Sequence, residues 1–196
     1  MTCPATLDVS GRTFKNYDGY PAGKLGSISL RTAFAQSCNT ALMGQRDRLA
    51  DGALAEAAAA LGMPAEPALG VPAVLGSVPQ PAGDTEKAAG LIGQGRVTAS
   101  PVGMATVAAS VAAGHRVSPI VVLDPAGPTG SAAPSGSAAP ATPLTAPEAS
   151  ALRSLMRAVV TEGNAGFLQA VPGAEVLAKS GTAEYGDATP PRTHAW

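Results

Sequence analysis

The distribution of apolar and polar residues along the chain predicts five helices. Ser29 and the segment from Thr145 to Glu148 have the side chains of helix N-caps, and the second of these forms a capping box. The predicted helices run from Leu30 up to Ser37, from Ala41 to about Leu49, from Asp51 to Leu61, from about Ser100 to Ala113, and from the capping box to about Thr161.

The helix predicted from about Ser100 has Pro101 in its first turn, where a missing N–H is tolerated, and Gly114 at its end. Its apolar residues share one face, which we expect to be buried. That face consists of Met104, Val107, Ala108 and Val111.

Short apolar or β-branched runs between turn residues predict strands. Residues 63–84 are rich in Pro and Gly and are expected to form no regular element, whereas residues 124–143 have the composition of a flexible surface loop. A hairpin-like connection is expected over residues 185–191. The predicted strands are Leu7 to Val9, Thr13 to Phe14, Ser118 to Leu123, Val176 to Glu184, and one that opens at Thr193.

The strand predicted after Val176 carries the polar sequence Lys179-Ser180-Gly181-Thr182. Alternate residues of a strand face opposite sides, so Lys179 and Gly181 should share one side and Ser180 and Thr182 the other. Gly181 leaves the backbone accessible, so a peptide-like substrate could lie beside it while the lysine attracts a carboxylate. An edge strand with a solvated lysine is the alternative interpretation.

A second polar segment, Ser37-Cys38-Asn39, interrupts two predicted helices and could direct its side chains toward a cleft. Together with Lys179-Ser180-Gly181 and the intervening Gly93-Gln94-Gly95, it resembles the transpeptidase domain of penicillin-binding proteins. That family carries Ser-x-x-Lys, Ser-x-Asn and Lys-Thr/Ser-Gly motifs in this order. The resemblance extends over nearly the whole chain, up to His194-Ala195-Trp196.

The first of the three motifs is absent, because no serine of the chain has a lysine three positions later. Residues 11–15, with Arg12 in place of a serine, look similar but lie too close to Ser37 for the spacing of the family. We therefore expect the nucleophile to lie upstream of Met1. The resemblance then implies an internal piece of a domain that is incomplete at both ends.

The resemblance also implies roles for individual residues. Three residues would be catalytic: Ser37 would relay a proton, Asn39 would hydrogen-bond the peptide of the substrate, and Lys179 would bind the terminal carboxylate. Ser180, Gly181 and Thr182 would form the substrate-binding edge, with Ser180 replacing the commoner threonine and the Thr182 N–H serving as an oxyanion donor. Glu184 and His194 would be structural or positioning residues only.

The implied fold is α/β in the α+β sense, β-lactamase/transpeptidase-like, with helices packed on an antiparallel sheet and all 196 residues in one partial domain. The implied activity is peptidoglycan D,D-transpeptidation, which cross-links D-alanyl-D-alanine stem peptides by serine acyl transfer and is inhibited by β-lactams. Two alternatives remain open: a D,D-carboxypeptidase or β-lactamase-like hydrolase, and a non-catalytic scaffold of cell-wall assembly.

Composition indicates the class of protein and the kinds of partner that the chain can bind. A chain with 45% hydrophobic and 14% charged residues is globular, and a net charge of -1 without clustered Lys or Arg argues against a nucleic-acid partner. No cofactor or metal is predicted. Cys38 is expected to be a small buried side chain, with a disulfide to Cys3 as the alternative.

The chain has no apolar run long enough to span a bilayer, and Met1-Thr2-Cys3-Pro4 lacks the charged start and apolar centre of a signal peptide. The resemblance nevertheless implies an intact protein that is anchored upstream in the cell membrane and faces its extracytoplasmic side. Peptidoglycan stem peptides, β-lactam antibiotics and a glycosyltransferase or division partner are the implied binding partners.

Overall fold

The computed structural model describes residues 1–63, 69, 73–119, 142–185 and 192–195. The chain divides into two compact units: residues 1–50, 81–95 and 151–196 form the first, and residues 51–80 and 96–150 the second. The predicted loop at 124–143 and the strand at 118–123 fall almost entirely outside the described residues, and Ser118 and Pro119 are not in a strand. The assignment of the whole chain to one partial domain stays a prediction.

Six α-helices and three 3₁₀ turns occur in the described part of the chain. The helices are α1 (Leu30–Ala35), α2 (Asn39–Met43), α3 (Ala53–Ala60), α4 (Asp84–Gly90), α5 (Pro101–Ala113) and α6 (Ala146–Thr161). The 3₁₀ turns cover Ala22–Lys24, Arg46–Arg48 and Gly166–Ala170. Among the described residues, none of the helices is both long and apolar enough to cross a membrane.

The described strands form four separate antiparallel pairs, and together with the helices they confirm the α+β class. They are β1 (Thr2–Cys3) with β4 (Gly26–Ser27), β2 (Thr6–Val9) with β3 (Arg12–Lys15), β5 (Gly76–Ser77) with β6 (Thr98–Ala99), and β7 (Thr182–Tyr185) with β8 (Arg192–Ala195). The strand predicted to open at Thr193 is therefore confirmed. The expectation that residues 63–84 hold no regular element was wrong at β5.

The break between α1 and α2 is confirmed and has clear local causes. The Ser29 hydroxyl accepts a hydrogen bond from the Thr32 N–H and begins α1. Ser37 then adopts a left-handed backbone with φ of 54°, which stops the helix before α2 begins at Asn39. The second helix was predicted to reach about Leu49 but ends at Met43, because the next residue, Gly44, is a poor helix former.

The core of the first unit contains a disulfide that links Cys3 of β1 to Cys38, with no free cysteine left in the chain. Both residues are fully buried beside Ala33 and Ala41. Our expectation of a reduced Cys38 was therefore wrong, because β1 lies against α2 and brings the two Cα atoms within 6.3 Å. The cross-link stabilises the segment that carries Ser37.

Helix α5 begins and ends as predicted, with Ser100 as its N-cap and a left-handed Gly114 after its last residue. Its buried face is different, however: Met104 and Ala108 are exposed, and Val111 alone among the four predicted residues is buried. The buried positions are Gly103, Thr106, Ser110 and Val111.

Close backbone contacts explain why this face of α5 is the buried one. A Cβ atom added at Gly103 would lie 2.1 Å from the carbonyl oxygen of Leu75, so this side of α5 must carry small residues. The buried hydroxyls of Thr106 and Ser110 are hydrogen-bonded within the helix, because they donate to the carbonyls of Val102 and Thr106 respectively. Backbone proximity within the second unit therefore overrides the apolar pattern.

Candidate active site

Ser37 and Lys179 are in direct contact although they lie 142 positions apart in sequence. The Lys179 Nζ donates to the Ser37 Oγ over 2.8 Å and to the Ser180 carbonyl over 2.7 Å. It also lies 5.5 Å from the centre of the Phe34 ring, near the end of α1. The two polar segments singled out in the sequence therefore meet at one place.

The ammonium group of Lys179 has lost much of its solvent. Burial lowers the pKa of Lys179 from 10.5 to about 8, and no carboxylate contributes to the shift. The group is therefore mostly protonated at neutral pH and holds a charge that is incompletely compensated by its two oxygen partners. Such a charge favours the binding of an anionic group.

The Lys179-Ser180-Gly181 segment is not part of a strand, which corrects our prediction for residues 176–181. Regular pairing begins only at Thr182, opposite Ala195 of β8. Upstream, the Ala178 N–H donates instead to the carbonyl of Met156 in α6. The motif therefore leads into β7 from a segment that contacts α6, and its backbone, which has no strand partner among the described residues, borders the pocket.

A pocket of about 390 Å³ opens beside the Ser37 to Lys179 contact, and all of the predicted catalytic and substrate-binding residues line it. Apolar side chains from α1, α2 and the region after α4 form part of its wall. The lining residues are Tyr17, Phe34, Ser37, Asn39, Leu42, Leu91, Ile92, Gly93, Asn164, Lys179, Ser180, Gly181 and Thr182. This combination of an apolar wall with a few convergent polar groups is typical of a small-molecule site.

Asn39 and Thr182 are held at the rim of the pocket by backbone contacts. The side-chain amide of Asn39 donates to the Lys15 carbonyl over 3.4 Å, and that of Gln94 donates to the Thr182 carbonyl over 3.2 Å. Gln94 belongs to the Gly-Gln-Gly segment that contributed to the family resemblance. The structure thus gives this segment a defined contact with β7.

Asn164 is a pocket residue that the sequence did not reveal. Its side-chain amide lies 3.2 to 3.3 Å from the Ser180 hydroxyl. The preceding residue, Gly163, contacts the end of α1. In the sequence Asn164 stands within Gly-Asn-Ala-Gly, which indicates a turn after α6 and nothing more. Its position in the pocket depends on contacts between distant segments.

Comparison with known proteins adds three findings. The profile of the family described as penicillin binding protein transpeptidase domain matches residues 4–196. The chain is similar to peptidoglycan D,D-transpeptidase PbpA of Mycobacterium tuberculosis, with 34% identity over 100% of this chain and 41% of the relative. PbpA of Mycolicibacterium smegmatis is 33% identical over 97% of this chain and 39% of the relative.

A solved structure supports the same relationship. The ceftriaxone acyl-enzyme complex of penicillin-binding protein A from M. tuberculosis superimposes with a TM-score of 0.76 and 28% identity. The alignment covers 100% of this chain and 45% of that structure. The chain thus spans about two fifths of the length of the curated relatives it matches.

Proposed function

Because this chain belongs to the penicillin-binding protein transpeptidase family, we propose that its pocket binds the acyl donor of a serine D,D-transpeptidase. The substrate would be a peptidoglycan stem ending in D-alanyl-D-alanine, and a β-lactam would occupy the same site. The hydrogen bond from Lys179 to Ser37 carries the proposal, because it joins a buried cation and a hydroxyl at the pocket. A serine and lysine outside these 196 residues would complete the site.

The buried charge of Lys179 suits the terminal carboxylate of the stem peptide. None of the described residues that line the pocket is acidic, so a substrate carboxylate would supply a counter-charge. The hydroxyls of Ser180 and Thr182 can donate further hydrogen bonds to the same group. Together they would orient the scissile peptide bond toward the nucleophile.

In this proposal Ser37 would relay a proton. Its Oγ already accepts from Lys179, so its own hydroxyl proton is directed to another acceptor. In acyl transfer the nucleophilic serine loses a proton and the departing D-alanine nitrogen gains one. Ser37 would give its proton to that nitrogen and would recover the proton of the nucleophilic serine by way of the lysine of the Ser-x-x-Lys motif. The site therefore neither gains nor loses a proton in this step.

Two further contacts would position the substrate. The amide of Asn39 would hydrogen-bond the peptide of the stem, and the Thr182 N–H would stabilise the developing oxyanion. Residues 179–181 have no strand partner among the described residues, so an extended peptide would be able to lie alongside Gly181. The acyl group would then pass to the amine of a second stem.

The disulfide supports a location outside the cytoplasm, because such bonds persist in oxidising compartments. We propose that the intact protein is held at the cell membrane with this pocket on its outer face. A glycosyltransferase or division protein would be its partner in wall synthesis.

Labelling with a fluorescent penicillin tests the proposed function. The protein expressed from its complete reading frame should become covalently labelled, and substitution of the serine in its Ser-x-x-Lys motif should abolish the label. The 196-residue chain should stay unlabelled, because none of its serines has the required lysine. A complete protein that resists labelling would contradict the proposal.

The pKa of Lys179 predicts a pH dependence for anionic ligands. Below pH 8 the group is charged, and that charge is lost as the pH rises through the lowered pKa. Between pH 7.5 and 9 the acylation rate constant for a carboxylate-bearing β-lactam should therefore fall about eightfold relative to its methyl ester. Stopped-flow measurement of both compounds gives this ratio, and a ratio that stays constant over this range would contradict the assignment.

A further inference from the structure

We propose that Asn164 is a positioning residue that directs the Ser180 hydroxyl toward the carboxylate of the acyl donor. This inference rests on the proposed function and adds a specificity-determining residue to it. Asn164 lines the same pocket as Lys179 and contacts Ser180 from the side of the turn after α6.

The contact between the two side chains can form in two ways. The Asn164 Nδ2 lies 3.2 Å from the Ser180 Oγ and can donate to it, whereas the Oδ1 lies 3.3 Å away and can accept from it. Only the first arrangement leaves the Ser180 proton free for a substrate. A bound carboxylate accepts hydrogen bonds only, so it selects that arrangement.

Lys179 fixes Ser180 from another direction. Its Nζ donates to the Ser180 carbonyl over 2.7 Å while it also bonds the Ser37 hydroxyl. The backbone of Ser180 is therefore held by the same cation that would bind the carboxylate, and its side chain is held by Asn164. The two contacts together set the direction of a second donor beside the ammonium group.

Asn164 is itself held close to the helix that leads to Ser37. The preceding Glu162 accepts from Arg31 of α1 over 2.6 Å, and its carbonyl accepts from the Gln36 amide over 2.6 Å. A Cβ atom at Gly163 would lie only 2.1 Å from the Ala35 carbonyl oxygen. These contacts fix the backbone of Asn164 relative to the end of α1, and hence relative to Ser37.

Substitutions at position 164 separate positioning from support of the fold. Asn164→Ala removes both partners and leaves the Ser180 hydroxyl free to rotate. Asn164→Asp presents two acceptor oxygens, so it captures the Ser180 proton and adds a charge that repels a substrate carboxylate. A purely structural role would lower all reactions of the site equally.

The test compares acylation of the complete protein by a penicillin and by the methyl ester of the same compound. We expect Asn164→Ala to slow the acid about fivefold and Asn164→Asp about thirtyfold or more, each with less than a twofold effect on the ester. In a Ser180→Ala background, Asn164→Ala should change the acid-to-ester ratio by less than twofold, because the two residues act through one hydroxyl.

Each other result would count against the inference. Equal losses for acid and ester would indicate a structural role, and a full Asn164→Ala effect in the Ser180→Ala background would show that Asn164 does not act through Ser180. An unlabelled wild-type protein would overturn the proposed function and this inference with it. A labelled wild type with an unchanged acid-to-ester ratio in Asn164→Asp would overturn the inference alone.

Discussion

Replacing Lys179 with alanine is expected to lower the rate constant for acylation of the complete protein by a β-lactam about a thousandfold. The substitution removes the hydrogen bond to Ser37, the hydrogen bond to the Ser180 carbonyl and the charge that would bind a carboxylate. The loss therefore combines weaker binding of the acyl donor with a disrupted proton relay. Stopped-flow or gel-based acylation kinetics measure the effect.

Two variants serve as controls for this experiment. Lys24→Ala removes an exposed lysine on a 3₁₀ turn outside the pocket, and the acylation rate should change less than twofold. Lys179→Arg keeps a charge but replaces a compact ammonium with a planar group, so it should restore only part of the rate. A Lys179→Ala protein that reacts within threefold of wild type would refute the assigned role.

Gly163→Ala is expected to lower the free energy of unfolding by about 3 kcal/mol and to slow acylation as well. The added Cβ atom would lie 2.1 Å from the Ala35 carbonyl oxygen and 2.7 Å from that of Val159. Because neither carbonyl is a flexible side chain, the turn must move away from α1 and carry Asn164 with it. Chemical denaturation of the complete protein measures the change in stability.

Gly166→Ala provides a matched control three residues later. Its added Cβ atom would meet nothing closer than the Gln169 Nε2 at 3.7 Å, which is an ordinary contact distance. Like Gly163, it does not have a left-handed backbone. The substitution should change stability by less than about 0.5 kcal/mol. Equal effects at the two glycines would show that the close approach to α1 is unimportant.

Signals within a few residues of each other predicted much of the secondary structure. Ser29, Ser100 and the Thr145 to Glu148 capping box mark helix starts that the structure confirms, because a cap depends on only three or four neighbouring residues. The family motifs placed Ser37 and Lys179 in one site, although neither residue has a local signal for that contact. The roles assigned to them stay predictions.

Features that depend on contacts between distant segments could not be predicted from the sequence. The buried face of α5 follows from the approach of the Leu75 backbone to Gly103, which no apolar period contains. The Cys3 to Cys38 disulfide requires β1 to lie against α2, and the number of cysteines alone cannot establish this. Asn164 reaches the pocket only because Gly163 allows the turn after α6 to approach α1.

The left-handed backbone of Ser37 restricts which amino acids a mutational library could place there. With φ at 54°, most side chains cost roughly 1 to 2 kcal/mol, and β-branched residues such as threonine fare worst. Threonine keeps the hydroxyl, yet it would strain the very turn that directs this group. In a library selected only for folding, position 37 should therefore be enriched in glycine and asparagine, before any selection for activity is applied.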